Sequence, residues 1–205
     1  MKMKIIIGLT GGIASGKSTV TAMLKEKGAW VVDADQVARQ VVDKGEPALE
    51  EIVNVFGSDV LQADGQLNRA ALGTLVFSSE EKRHHLNQIT HPKIRQKMLR
   101  MVEEFRNDAS QQVLVLEVPL LFETGWDKLV DQVWLVEVDE EIQLKRLMER
   151  SKLSEEEAVM RIRSQMSLTE KKRRAHVLIN NNGDRSMLKA CVDRQWTLLE
   201  TQLQA

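Results

Sequence analysis

One short segment near the start of the chain constrains the fold more than any other. It reads GLTGGIASGKSTV over residues 8–20 and contains the pattern Gly11-x-x-x-x-Gly16-Lys17-Ser18. Such a pattern needs a strand before it and a helix after it, because its backbone closes around a phosphate group at the helix N-terminus. The apolar run 4–10 and the amphipathic stretch 17–27 meet both requirements.

Each residue type in this segment has a physical reason. Glycine has no side chain, so backbone N–H groups can turn inward toward phosphate oxygens, and the following helix adds its positive N-terminal end. Lys17 can then reach the β- and γ-phosphates, and the Ser18 hydroxyl is placed to ligate Mg²⁺. The motif therefore predicts binding of a nucleoside triphosphate such as ATP. The expected contacts are Gly11, Gly12, Ile13, Ala14, Ser15, Gly16, Lys17, Ser18 and Thr19.

The rest of the chain alternates short apolar runs with amphipathic stretches. The apolar runs predict strands at 4–10, 30–33, 113–118 and 133–138, with a weaker signal at 176–179. Near-continuous apolar strands are typical of parallel sheets that are covered on both faces. We therefore expect an α/β fold, built as a doubly wound parallel sheet of about five strands.

Two helix-rich regions interrupt this alternation. Residues 35–112 carry little strand signal and are too many for an ordinary connection, so they predict a helical insertion. Within it, Ser78 and Glu81 resemble a capping box, and Pro92 suits the first position of a further helix. The second region, 140–174, is also helical, begins one helix with a capping box at Ser154, and contains ten Lys and Arg residues.

Composition excludes several classes of protein. The 205 residues carry a formal net charge of -1, which gives no whole-molecule reason to expect a nucleic-acid or membrane partner. The single cysteine, Cys191, cannot form an internal disulfide, which suits a reducing cytoplasm. The first apolar run is too short for a secretory signal, and no stretch approaches the ~20 apolar residues of a membrane span. We expect a cytoplasmic protein; its oligomeric state does not follow from the sequence.

The phosphate motif alone leaves a switch, a motor and a kinase open. A GTP-binding switch normally carries an Asn-Lys-x-Asp segment, which is absent here. A motor usually ends a later apolar strand with an acidic residue for the metal; Glu117 is the nearest candidate, but Val118 and Pro119 follow it. The small size, the insertion and the basic region instead favour an enzyme that binds two substrates and closes a lid over them.

Two carboxylates follow the second predicted strand. Asp33 and Asp35 lie at its carboxyl end, where open α/β sheets bind their ligands. Phosphoryl transfer to a hydroxyl needs an aligned acceptor oxygen and a group that accepts its proton, and a carboxylate there can serve both needs. The structural alternative is that one of the two aspartates only caps the helix that begins near Gln36.

Two arginines stand out in the basic region. Arg146 and Arg150 lie four residues apart and so share one helical face. Guanidinium groups aimed at the phosphates can neutralise the charge that develops during transfer. The alternative is a solvated face that pairs with Glu149 and the glutamates at 155–157, which is the usual meaning of a charged run.

Taken together, these motifs resemble the dephospho-CoA kinase family, which catalyses the last step of coenzyme A synthesis. The resemblance spans nearly the whole chain. Its motifs are GLTGGIASGKSTV, VVDADQVARQVV, GEPAL, DGQLNR, THPKI, VPLLFE, QLKRLMER and INNNG. A phosphate loop alone would indicate only a superfamily, whereas this ordered set is far more specific.

The resemblance implies transfer of a phosphoryl group from ATP to the ribose 3′-hydroxyl of dephospho-CoA. It implies a P-loop NTPase-type core (1–35, 106–139 and 170–205), a helical acceptor domain (36–105) and a small helical lid (140–169). By position, Asp33 would orient or deprotonate the hydroxyl, and Lys17 would hold the phosphates. Arg146 and Arg150 would be lid arginines, Arg150 near the adenine, and Asn181 would also lie by the adenine.

The acceptor side is implied by weaker motifs, carried by Asp35, Arg39, His91, Leu120 and Leu121. Each has a structural alternative: His91 with the following proline is also a helix start, and the two leucines suit a core. The sequence around Asn181 is likewise an ordinary turn signal.

One position departs from the family pattern: where the family usually has Ala-Asp before the last strand, this chain has Ala175-His176. Two other functions also stay open: a phosphate-loop kinase with another acceptor, and an ATP-binding regulator without catalysis.

Overall fold

A central five-stranded sheet organises the chain. The computed structural model describes residues 3–204. Its strands are β1 (Ile5–Gly11), β2 (Trp30–Asp33), β3 (Val113–Glu117), β4 (Gln132–Glu137) and β5 (Val177–Asn180). All neighbouring strands are parallel, in the order β2-β3-β1-β4-β5. The expected α/β fold with a doubly wound five-stranded sheet is therefore confirmed.

Strand β1 lies at the centre of the sheet, and all seven of its residues are buried. Its residue Leu9 is in register with Glu117 on one side and Trp134 on the other. A strand covered on both edges and both faces has to be apolar throughout, which explains the run Ile-Ile-Ile. All five predicted strands lie within one residue of the observed ones.

The His176 departure has a structural explanation. Its backbone N–H donates to the Val133 carbonyl at 2.9 Å, and its ring Nδ1 accepts the Val133 N–H at 2.9 Å. The imidazole thus extends the ladder between β4 and β5 by one further bond. An aspartate carboxylate at this position could accept the same Val133 N–H, so histidine can make the hydrogen bond that the family's usual aspartate would make.

Nine α-helices are described between residues 3 and 204. They are α1 (Lys17–Glu26), α2 (Ala34–Gln40), α3 (Pro47–Phe56), α4 (Arg69–Phe77), α5 (Glu80–Asn107), α6 (Glu140–Ser151), α7 (Glu155–Arg163), α8 (Leu168–Arg174) and α9 (Arg185–Gln204). Within the same residues, no helix is both long enough and apolar enough to pass through a membrane.

Helices α1 and α9 pack on one side of the sheet. Leu24 of α1 and Val192 and Trp196 of α9 join Ile7 and Trp134 of the strands in one apolar cluster. The buried positions of α9 recur every three or four residues, as its sequence predicts. Burial of one such large side chain contributes about 1.5–3 kcal/mol to folding, so this cluster fixes α1, and with it the end of the phosphate loop.

The contacts divide the chain into two compact units. The first contains the residues up to Asp33 and those from Phe105 onward, and it holds the sheet with α1 and α6–α9. The second is Ala34–Glu104, which contains α2, α3, α4 and most of α5.

The regular structure of the second unit is helical, apart from one isolated β-bridge between Leu61 and Leu67. In α3, Pro47 occupies the first turn, and Ala48, Leu49 and Ile52 form the buried face. The Asn68 side chain caps α4 by accepting the Ala71 N–H at 3.1 Å. The predicted helical insertion is therefore observed as the short helices α2, α3 and α4 followed by the long α5.

Two predicted helix boundaries in this region are wrong. Ser78 ends α4 and donates to the Leu75 carbonyl, whereas Ser79 begins α5 by accepting the Lys82 N–H at 3.3 Å. Pro92 lies inside α5 and does not begin a helix. A proline there removes one backbone hydrogen bond, but burial of Ile89 before it and Met98 after it keeps the helix continuous.

The basic region forms α6, α7 and α8, and the capping box at Ser154 is confirmed, with Glu157 as its second member. The paired basic residues at its C-terminal end contact carboxylates of the sheet region. Lys172 pairs with Glu137 at 2.7 Å, and Lys171, which is 1% exposed, pairs with Glu123 at 3.4 Å. These ion pairs therefore anchor α8 to the core.

Candidate active site

The phosphate loop connects β1 to α1. Two of its residues adopt left-handed backbone conformations, Ala14 with φ 58° and Gly16 with φ 90°. The loop is closed by a hydrogen bond from the Ser15 N–H to the Gly12 carbonyl at 3.1 Å. Left-handed residues that alternate with right-handed ones turn successive backbone N–H groups toward one side, and these groups form a concave anion site.

Close packing, as well as conformation, requires the loop glycines. A Cβ on Gly11 would lie 2.6 Å from the Val136 carbonyl oxygen, and one on Gly12 would lie 2.5 Å from Nε2 of Gln143. Real Cβ atoms essentially never approach so closely, so only glycine lets the loop backbone lie against β4 and α6. The sequence predicted glycine here for phosphate contact, and the structure adds this second reason.

The polar side chains of the loop are arranged around the same backbone. Lys17 is half-buried and its Nζ donates to the Gly11 and Gly12 carbonyls at 3.0 and 3.2 Å. The Ser15 hydroxyl is buried, and no hydrogen-bond partner for it occurs among the described residues. Ser18 is exposed in the first turn of α1. A cationic ammonium, inward N–H groups and a free hydroxyl form a donor set that suits phosphate.

Two carboxylates lie side by side where β2 and β3 end. Asp33 is in register with Glu117, which is itself in register with Leu9 of β1. Two strand spacings of ~4.8 Å place Asp33 about 10 Å from β1. The Thr21 hydroxyl of α1 donates to Glu117 at 2.6 Å and fixes that carboxylate against the helix. Glu117 therefore faces α1, and Asp33 lies beside it in register.

A cavity of about 370 Å³ lies on the side of the loop toward β5. Its lining combines Ala14 and Gly16 of the loop and Thr19 of α1 with Arg146 and Asn181. The Asn181 Nδ2 donates to the Ser15 carbonyl at 2.7 Å, and its side chain is buried. Of the two predicted arginines, Arg146 is thus placed beside the loop, whereas Arg150 is exposed one turn further along α6. The sequence interpretation missed Arg185 in this cavity.

Two glutamines that the sequence interpretation missed contact the loop at Ile13. Gln165 accepts the Ile13 N–H through Oε1 at 3.0 Å, and Gln143 donates from Nε2 to the Ile13 carbonyl at 2.8 Å. Both side chains also line a second cavity of about 370 Å³, together with Ser15 and Lys171. A polar residue in the buried stripe of α6 was the available signal for Gln143.

The residues predicted for the acceptor lie in different surroundings. Asp35 and Arg39 are exposed on α2, one turn apart, and His91 is exposed on α5. Leu120 follows β3 and is 41% exposed, whereas Leu121 is fully buried against Gly8. Leu121 therefore packs in the core of the first unit, whereas Leu120 is accessible to solvent.

The family model and the curated relatives that match this chain are all described as dephospho-CoA kinases. The family model described as "CoaE: Dephospho-CoA kinase" matches residues 5–186. A protein named dephospho-CoA kinase from Geobacillus kaustophilus is 51% identical over 201 residues, covering 97% of this chain and 100% of that protein. One from Bacillus anthracis is 50% identical over 202 residues, with 97% and 100% covered.

Solved structures agree. The structure titled dephospho-CoA kinase from Campylobacter jejuni has a TM-score of 0.77 at 31% identity and covers 98% of this chain and 99% of that one. TT1252 from Thermus thermophilus has a TM-score of 0.79 at 37% identity, with 98% and 99% covered. A shikimate kinase from Bacteroides thetaiotaomicron, at 17% identity and a TM-score of 0.54, shares the fold. From the family match and the identity to these relatives, this chain belongs to the dephospho-CoA kinase family.

Proposed function

We propose that the chain transfers the γ-phosphoryl group of ATP to the ribose 3′-hydroxyl of dephospho-CoA, giving coenzyme A and ADP. The observation that carries this proposal is the placement of Asp33. It lies at the carboxyl edge of the sheet, in register with Leu9 and two strand spacings, about 10 Å, from β1. That separation suits a carboxylate and a phosphate loop that act on the same phosphorus from opposite sides, with a sugar hydroxyl between them.

The chemical step then assigns one role to each group. The 3′-oxygen of the ribose attacks the γ-phosphorus, the bond from that phosphorus to the β–γ bridging oxygen breaks, and ADP leaves. Asp33 orients the hydroxyl and accepts its proton. Lys17 and the loop N–H groups hold the β- and γ-phosphates, so the phosphorus stays in line with the attacking oxygen.

The residues present fit MgATP. The left-handed loop with its close-packed glycines and the unpartnered Ser15 hydroxyl provide donors for phosphate oxygens. Ser18 and Thr21 share a face of α1, and Thr21 holds Glu117 near that face. Hydroxyl and carboxylate oxygens are the ligands that Mg²⁺ prefers, so Ser18, with Glu117 close by, would hold the ion. When bound, Mg²⁺ would neutralise phosphate charge.

The flanking segments have supporting roles in this proposal. Region 140–169 would act as the lid, with Arg146 beside the phosphates and the more distant Arg150 reaching the nucleotide on closure. The cavity that contains Asn181 would receive the adenosine part of ATP. The unit Ala34–Glu104 would bind the acceptor through Asp35, Arg39 and His91. We also place the reaction in the cytoplasm, where a lone thiol stays reduced.

A coupled assay of ADP release tests the function. Dephospho-CoA should stimulate ADP release strongly, whereas adenosine, AMP and shikimate should not. Formation of coenzyme A, detected by mass as the addition of one phosphoryl group to dephospho-CoA, identifies the product. Stimulation by another acceptor alone would point to a different kinase, and ATP binding without stimulation by any acceptor would point to a regulator.

Asp33→Asn provides the matched catalytic variant, with Asp59→Asn as its control. Asp59 is exposed in a short 3₁₀ helix of the second unit. The same loss of one carboxylate at Asp59 should leave ADP release unchanged.

A further inference from the structure

The peptide groups of Ile13 are held from both sides by side chains that come from distant parts of the chain. Gln165 accepts the N–H at 3.0 Å across 152 residues of sequence, and Gln143 donates to the carbonyl at 2.8 Å across 130 residues. The roles of the two amides are opposite, since an N–H requires an acceptor and a carbonyl requires a donor. Together they form what we call the Ile13 clamp, which consists of Gln143, Gln165 and the Ile13 backbone.

Both glutamines are themselves fixed. Gln143 is 7% exposed in the first turn of α6, where its N–H donates to the Asp139 carbonyl at 2.9 Å. Its Nε2 also packs against Gly12, 2.5 Å from where a Cβ on that residue would be. A side chain packed in this way has lost its rotamer freedom before any ligand binds.

Gln165 lies in the turn between α7 and α8, and neighbouring contacts hold that turn. The next residue, Met166, donates its N–H to the Glu123 carboxylate at 3.1 Å. The same carboxylate pairs with the buried Lys171 of α8 at 3.4 Å. Gln165 is therefore carried on a turn that is anchored to the loop after β3.

The clamp lies next to two features of the candidate site, the left-handed residue Ala14 and the arginine Arg146. The residue after Ile13 is Ala14, whose left-handed φ of 58° is unfavourable for a residue with a Cβ. Such a conformation persists when surrounding contacts determine it. On the other side, Arg146 lies one turn after Gln143 on α6, so the contact that holds Ile13 also sets the position of that arginine.

We propose that Gln143 and Gln165 are positioning residues for phosphoryl transfer. They act through Ile13: the clamp keeps the loop N–H groups preorganised for phosphate, and it ties both ends of the arginine-bearing segment to the two peptide groups of one loop residue. This inference rests on the proposed function for its effect on turnover, whereas its effect on the loop itself is independent of that function.

The opposite polarity of the two contacts gives a sharp set of variants. Methionine at either position keeps the length and the apolar stem but removes the polar group, so both Gln143→Met and Gln165→Met should release Ile13. Glutamate keeps an acceptor but has no donor when ionised. Gln165→Glu should therefore preserve its contact with the Ile13 N–H, whereas Gln143→Glu should lose its contact with the carbonyl.

The first measurement is hydrogen exchange of the Ile13 amide in nucleotide-free enzyme, so that repulsion between a new carboxylate and phosphate does not enter. We expect exchange at least about tenfold faster in Gln165→Met and close to wild type in Gln165→Glu. The second is steady-state kinetics. Gln143→Met and Gln165→Met should each lower kcat at least about tenfold, with the KM for dephospho-CoA unchanged, because misplaced reacting groups reduce the rate.

Gln202→Leu is the matched control, because Gln202 is an exposed glutamine of α9 that bonds the Gln132 side chain at 2.9 Å. It should leave kcat and the Ile13 amide unchanged. Wild-type exchange in Gln165→Met would overturn the clamp, and faster exchange with an unchanged kcat would overturn its positioning role. If the wild-type enzyme showed no acceptor-dependent ADP release, the proposed function would fail, and the exchange result would still decide the clamp.

Discussion

Gly16 is the position where one methyl group most directly perturbs the candidate site. Its φ of 90° lies in the left-handed region, and a Cβ there would overlap Nδ2 of Asn181. That nitrogen donates to the Ser15 carbonyl at 2.7 Å in a buried position. Gly16→Ala therefore forces a strained backbone and displaces Asn181 from its hydrogen bond.

The size of the effect follows from these two losses. An alanine in the left-handed region costs roughly 1–2 kcal/mol, and a buried hydrogen bond whose partners are left unsatisfied costs about 1–3 kcal/mol. A combined value of about 3 kcal/mol corresponds to roughly 100-fold, at 1.4 kcal/mol for each factor of ten. The loss should appear in ATP affinity, because a free loop can relax away from the strain and a phosphate-bound loop cannot.

Calorimetric titration with ATP measures this directly in three variants. Gly16→Ala should bind about 100-fold more weakly, and Asn181→Ala, which loses only the hydrogen bond, about tenfold more weakly. The double variant should resemble Gly16→Ala, because the alanine at 16 has already displaced Asn181. Wild-type affinity in Gly16→Ala, or losses that simply multiply in the double variant, would refute the reasoning.

Three further predictions concern other parts of the first unit. Asp33→Asn should lower kcat by about 10²–10⁴ with an unchanged ATP Kd in calorimetry; an undiminished kcat would exclude Asp33 as the base. Glu123→Gln leaves the buried ammonium of Lys171 without its charged partner, so denaturant unfolding should show a loss of about 2–3 kcal/mol. This loss is smaller than that for breaking a fully buried ion pair, because the Glu123 side chain is 25% exposed and solvent screens its charge. Lys171→Met should change stability by less than about 1 kcal/mol, and equal losses in the two variants would contradict this. Hydrogen bonds, first from the Ser186 hydroxyl, lower the pKa of Asp184 at the start of α9 below 3.8. Because this pKa is lower in the folded state, the stability that Asp184 contributes is complete above pH 3.8. It should be lost as the pH falls through the folded pKa. The chemical shift of the Ser186 amide, followed by NMR during acid titration, should move with a midpoint below pH 3.8 and should not show this transition in Asp184→Asn.

The sheet was predictable because its signals are local. Short apolar runs rich in β-branched residues predicted the strand limits within one residue, and β2 was placed without error at Trp30–Asp33. The phosphate loop was predictable for the same reason, since all of its motif residues lie within eight positions. A structural feature that depends on residues adjacent in sequence can be predicted from the local sequence pattern.

The rest depended on contacts between distant residues. Pro92 is a helix-start residue by its local chemistry, but packing on both sides of it keeps α5 continuous. Lys171 belongs to a run of basic residues that reads as a solvated face, yet it is 1% exposed against the Glu123 carboxylate. Gln143 and Gln165 have no motif of their own, because their function is defined only by the loop residue they contact.

The arrangement around the loop glycines also bears on how the enzyme is made. The Asn181 side chain donates a hydrogen bond to the Ser15 carbonyl, and Asn181 is synthesised 166 residues after Ser15. At typical synthesis speeds of 5–20 residues per second, that interval is roughly 8 to 33 s. Strand β1 likewise cannot form its ladders until β3 and β4, which follow it in sequence, have been synthesised. The phosphate loop is therefore synthesised well before the residues that complete it, and a nascent chain has no finished nucleotide site until Asn181 has emerged.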